Sequence, residues 1–195
     1  MNANTVKKTN ICLCLTGSTI SENLDKARKF IGQANLVELR SDLLHHSQWA
    51  AVKRFPKECS LPVIFTIRRC RDGGGWTYSE KERRKFLQIA AESSYDYIDI
   101  EADLPENIIK FSCNGPKIIR SYHNFRRTPH SLSFLFCSLP KSSNEIPKVA
   151  VAIKSVTDIE KIHEASKRLK QKKIITGMVN MVYVQEFWQQ FLIHF

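Results

Sequence analysis

The sequence predicts a parallel α/β fold, and it favours a (β/α)8 barrel over a doubly wound sheet, on three observations. Seven short β-rich apolar runs alternate with helical or loop segments along the chain. Polar residues (Glu38, Arg40, Arg68, Glu101 and His123) fall at the carboxyl ends of successive runs, where a barrel gathers its site. Only Thr16-Gly17-Ser18 follows the first run, without the glycine-rich phosphate loop usual in a doubly wound sheet.

The elements follow in chain order. Ile11 to Leu15 reads as the first strand and Ser21 to Ala34 as a helix, with Ser21 as its cap and Glu22 in its first turn. Leu36 to Arg40 is the second strand, followed by a helical stretch around Trp49 to Phe55. Pro62 introduces the third strand, Val63 to Arg68, and Gly73-Gly74-Gly75 marks a flexible loop before a helix over Ser79 to Ser93. Tyr97 to Glu101, Lys117 to Ser121 and Lys148 to Ala152 are the next strands. A helix over Asp158 to Lys170 and a seventh strand from Lys173 to Thr176 complete the pattern.

The chain of 195 residues, 43% hydrophobic and 25% charged, is long enough to bury one full core, and it lacks repeats or biased tracts. No apolar run reaches the roughly 18 residues of a membrane helix, and residues 1–9 are polar, unlike a secretory signal. Six cysteines (12, 14, 59, 70, 113 and 137) show neither zinc spacing nor disulfide-scaffold density, so reduced thiols and a cytoplasmic location are expected. The net charge of +11 suits nucleic acid, a membrane surface or a small anionic substrate. The cations are scattered, however, and no zinc finger, aromatic RNA-binding signature or basic heptad accompanies them. Neither nucleic acid nor membrane is therefore expected as a partner.

Three residues form a carbonyl-chemistry set: Lys148, His123 and Arg68. Lys148 opens an apolar strand, where desolvation would lower its pKa and free the neutral amine that condenses with a ketone. The alternative is an ordinary lysine flanking a strand. His123 ends the run Ser121-Tyr122-His123 and suits proton transfer near neutral pH, or else capping or surface exposure. Glu38 and Arg40, two apart on a strand, share a face and suit hydroxyl recognition in a barrel mouth, or a plain surface ion pair.

Five segments in order resemble the type I 3-dehydroquinate dehydratases, the Schiff-base dehydroquinases of the shikimate pathway. They are Val37-Glu38-Leu39-Arg40-Ser41-Asp42, Phe65-Thr66-Ile67-Arg68 with Asp72-Gly73-Gly74, Tyr97-Ile98-Asp99-Ile100-Glu101, Ser121-Tyr122-His123-Asn124-Phe125 with Thr128-Pro129, and Pro147-Lys148-Val149-Ala150. The resemblance implies a (β/α)8 barrel that converts 3-dehydroquinate to 3-dehydroshikimate and water without metal or organic cofactor. Lys148 would be the Schiff-base lysine and His123 the general acid/base. Asp72 stands where the family has a glutamate that orients the histidine. Glu38, Arg40 and Arg68 would bind the ring hydroxyls, and Cys14 stands where some members carry a serine near the substrate. The resemblance also allows a homodimer, and a fusion to or coupling with shikimate dehydrogenase as in some relatives.

The match runs over residues 10–178 and then stops. The family continues as Met-Gly-x-x-Gly-x-x-Ser-Arg and an eighth strand, whereas Met178-Val179-Asn180-Met181 leads into an apolar tail over 179–195. One inserted base near codon 179 restores that motif for permitted codons, so a frameshift is expected. The barrel would then lack its last strand and helix, leaving strands one and seven with open edges. The competing readings are a catalytically dead remnant, a basic interaction protein, or another lysine-imine lyase of the aldolase type.

Overall fold

The computed structural model describes residues 10–110, 115–169 and 171–179. The segment 1–9 and the tail beyond 179 lie outside the described residues. Seven strands, β1 (Cys12–Leu15), β2 (Leu36–Arg40), β3 (Val63–Thr66), β4 (Tyr97–Glu101), β5 (Lys117–Asn124), β6 (Ile146–Ile153) and β7 (Ile174–Val179), pair in sequence order and in parallel. Among the described residues β1 pairs only with β2, and β7 only with β6.

The sheet is curled. In a flat sheet β2 and β6 would lie roughly 19 Å apart, four strand spacings of about 4.8 Å. Yet the side chains of Glu38 on β2 and Lys148 on β6 meet at 3.2 Å across the inside. The strands thus bend into the wall of a barrel.

Strand alternation decides what each surface carries. Val37, Leu39, Val63, Phe65, Ile98 and Ile100 point outward and pack against α1 (Ile20–Lys29), α2 (Phe55–Glu58) and α3 (Glu80–Ala91). Val149, Val151 and Ile175 do the same under α4 (Leu132–Ser138) and α5 (Val156–Arg168). Inside, Leu36, Ile64, Ile119, Ile146 and Ile174 form an apolar floor near the strands' amino ends. Toward the carboxyl ends the inward positions turn polar: Glu38, Thr66, Asp99, Glu101, Ser121, Lys148 and Thr176 are all buried there. Apolar runs packed on both faces are what a buried parallel sheet requires. Inside the barrel polar residues break them at the mouth, and on the outer face β5 carries the buried Arg120, paired with Glu145.

Several boundaries differ from the sequence expectation. Thr19, not Ser21, caps α1 by accepting from the Glu22 amide, and the helix ends at Lys29 because the chain turns at Gly32, whose φ is +87°. The stretch near Trp49 is a 3-10 helix over His46–Arg54 that becomes α2 at Phe55, with Pro56 in its first turn. The capping box between Ser79 and Glu82 starts α3 where the pattern placed it. Ser155 caps α5, and α4 has no counterpart in the expected elements. β5 runs three residues beyond Ser121, and β6 starts two before Lys148.

Candidate active site

The polar layer centres on Lys148. Its Nζ lies 3.0 Å from Asp99 Oδ2 and 3.2 Å from Glu38 Oε1, with all three side chains buried. β-Register sets this up: Lys148 is opposite Ser121 on β5, which is opposite Glu101 on β4, so inward residues of three strands converge. Glu38 Oε1 also accepts the Thr66 hydroxyl at 2.7 Å, and Glu38 Oε2 accepts the Cys14 thiol at 3.4 Å. Asp99 takes the Arg68 guanidinium at 2.8 Å and the Ser121 hydroxyl at 2.5 Å. Arg68 spends its other nitrogen on Ser121 at 2.9 Å and reaches toward Glu101 at 3.5 Å.

The electrostatics correct the sequence expectation for the lysine. Burial does push the Lys148 pKa down, but the charges of Asp99 and Glu38 outweigh it and hold the amine above its ordinary value. The resting group is an ammonium. Burial also drives the Asp99 and Glu38 carboxyls upward, and here Arg68 and Lys148 reverse the sign, so both stay ionised. Burial, assisted by Glu38, pushes the Cys14 thiol up to about 12, which keeps it a neutral donor.

His123 is two residues past Ser121 and shares its inward face, opposite Ala150. Burial, with Arg68 and Lys148 adding to it, lowers its pKa well below 6.5, so the imidazole is neutral. Its Nδ1 is sealed from solvent and has no hydrogen-bond partner among the described residues. The ring lies parallel to Phe125 at 6.3 Å. Gly73, with φ of +79°, lets the loop after β3 close on that phenyl ring, since a Cβ there would sit 2.4 Å from it.

Of the residues singled out by sequence, Lys148, Glu38, Arg68, Cys14 and His123 come together in the mouth. Arg40 stands at its edge, gripped by Asp42 through contacts of 3.0 and 2.8 Å and close enough to act on Glu38 and His123. Asp72 stands at the rim rather than on His123: its carboxylate is held by Arg69 Nε at 2.6 Å, a nitrogen that also lies 3.8 Å from Glu101, in a cluster that takes in Arg71 and Asp103. Arg69, one residue beyond Arg68, reaches the shorter aspartate first. Asp99, Thr66 and Ser121 were missed. The alternation of Tyr97-Ile98-Asp99-Ile100-Glu101 holds the signal, because Glu101 pointing inward requires Asp99 to do the same.

A parallel strand wall with a buried lysine between carboxylates at the strands' carboxyl ends defines the class of α/β-barrel proteins with an amine-centred site. Comparison with known proteins narrows it. The family model described as type I 3-dehydroquinase matches residues 11–182, and the chain belongs to that family of lyases. A 3-dehydroquinate dehydratase of Methanococcus maripaludis is 30% identical over 175 residues, covering 86% of this chain and 78% of the relative. The crystal structure of a type I 3-dehydroquinate dehydratase from Clostridium difficile superposes with a TM-score of 0.75 at 18% identity, over 89% of this chain and 77% of the other. A dehydroquinate dehydratase and shikimate dehydrogenase from S. pombe aligns with a TM-score of 0.66 at 19% identity, over 89% of this chain and 37% of that one. These two likenesses concern the fold.

Proposed function

We propose that the chain dehydrates 3-dehydroquinate to 3-dehydroshikimate through an imine on Lys148, with His123 as general acid and base. The observation that carries the reading is the Lys148 amine at the centre of the buried polar layer, beside a neutral imidazole. Family membership supplies the substrate.

The steps follow from the charges. Neutral His123 takes a proton from the ammonium, and the amine attacks the ring ketone. One amine proton passes to the new oxygen and His123 returns its own, so that water leaves and a protonated imine remains. This cation is an electron sink for the adjacent carbon. His123 removes that carbon's proton, giving the neutral enamine, then delivers it to the departing ring hydroxyl. Water hydrolyses the conjugated imine and restores the lysine. Glu38, Arg68 and Arg40 are the groups offered to the ring hydroxyls, and Cys14 donates to Glu38 beneath them. Asp72 is assigned no step, because Arg69 occupies it. Coupling to a shikimate dehydrogenase, the enzyme class that would consume the product, fits the same chemistry.

Formation of the conjugated enone, followed by ultraviolet absorbance after adding 3-dehydroquinate, tests the reading. The expected result is turnover in the parent chain and none in Lys148→Met. Equal enone formation by both would refute it.

A further inference from the structure

We propose that Asp99 is the positioning residue of the site: its carboxylate, itself fixed by Arg68 and Ser121, holds Lys148 Nζ in place throughout imine formation. The proposal rests on the imine reading above.

Two carboxylates touch the amine, and their surroundings differ. Glu38 is supported by a neutral hydroxyl and a neutral thiol, from Thr66 and Cys14. Asp99 is clamped from both sides: Oδ1 accepts Ser121 at 2.5 Å, while Oδ2 accepts Arg68 at 2.8 Å and Lys148 at 3.0 Å. Arg68 is anchored in turn on Ser121, closing a triangle of side chains from β4, β5 and the end of β3. Such a carboxylate has little freedom to swing or to accept a proton, because its arginine partner stays charged through every step. It keeps a fixed negative charge at Nζ. That charge serves the ammonium before reaction and the protonated imine after it, since both present N–H and positive charge at the same spot. Glu38 lacks an arginine clamp and remains free to exchange contacts with a substrate hydroxyl.

The groups facing this pair are Cys12 and Cys14 on β1, Glu38 and Arg40 on β2, Arg68 after β3, Glu101 on β4 and His123 on β5. Removing only the Asp99 charge leaves Arg68 unopposed beside the amine. In Asp99→Asn, the pH at half-maximal borohydride trapping of 3-dehydroquinate on Lys148 is expected to fall by at least one unit. The plateau rate at high pH is expected to fall tenfold or more, because the amine has lost its anchor. Ser121→Ala keeps the charge and drops the 2.5 Å bond, so its midpoint should hold while its plateau falls several-fold.

A folded Asp99→Asn chain with an unchanged midpoint overturns the proposal. If that variant does not fold, an unchanged plateau in Ser121→Ala overturns it instead. Absence of an adduct in the parent chain overturns the imine reading and this proposal together, whereas an adduct with an unaltered pH profile removes only the role of Asp99.

Discussion

Replacing Lys148 with methionine separates charge from shape, because the two side chains are similar in length. The ammonium is 3.0 Å from Asp99 and 3.2 Å from Glu38, so each pair carries about 5 kcal/mol of Coulomb energy at an effective dielectric near 20. Much of this offsets the cost of burying three charges. Removing the cation alone leaves Glu38 buried without its principal partner, a change that costs about 3–5 kcal/mol. The loss should depend on pH. Without Lys148 the Glu38 pKa rises, so the carboxyl takes up a proton and the destabilisation shrinks as pH falls from 8 toward 5. Glu38→Gln added to Lys148→Met should recover most of the loss at pH 8. Urea unfolding followed by far-UV circular dichroism at several pH values reads both effects. Equal midpoints for Lys148→Met and the parent chain at pH 8, or no recovery in the double variant, would refute the assignment of a buried ionic centre.

Three further outcomes follow from single contacts. His123 is neutral in the fold, so below 6.5 the unfolded chain binds a proton that the folded one does not, and stability declines as pH falls from there toward the folded value. His123→Gln should flatten that decline in acid-unfolding curves and cut dehydration roughly 10²–10⁴-fold, and it should also slow borohydride trapping, because His123 carries the protons of imine formation as well. Arg120 is fully buried, pairs with Glu145 at 3.1 and 2.5 Å and donates to the Glu101 and Leu104 carbonyls, so Arg120→Met should cost about 3–5 kcal/mol in urea unfolding. Arg120→Met/Glu145→Leu should regain much of that loss. A Cβ on Gly74 would meet the Arg68 carbonyl oxygen at 2.0 Å, a backbone atom that cannot swing aside, so Gly74→Ala should cost about 1–3 kcal/mol and change the near-UV circular dichroism of Trp76.

The strands were legible because both of their faces are covered, which makes each one a short apolar run. Their carboxyl ends were legible because Glu38, Arg68, Glu101 and His123 interrupt those runs where the barrel mouth lies. α4 was hidden: Leu132-Ser-Phe-Leu-Phe-Cys-Ser138 is short, lacks charge and carries the exposed Phe134, so no helical stripe stands out. The ends of α1 depended on Thr19 and on the turn at Gly32, signals of a single residue each. In the site, the residue types pointed to the right strands but not to their pairings. Desolvation alone implied a neutral Lys148, and only the facing carboxylates from β2 and β4, 110 and 49 residues away in sequence, reverse that. Asp72 likewise depended on a competitor, Arg69, whose reach is a matter of loop geometry.

The central claim is that Lys148 forms the covalent imine. Intact mass of the chain after incubation with 3-dehydroquinate and borohydride, followed by peptide mapping, tests it most directly. The account predicts one reduced substrate adduct, on the peptide containing Lys148 and absent from Lys148→Met. A folded chain that gains no mass, or an adduct mapped to another lysine, would contradict it.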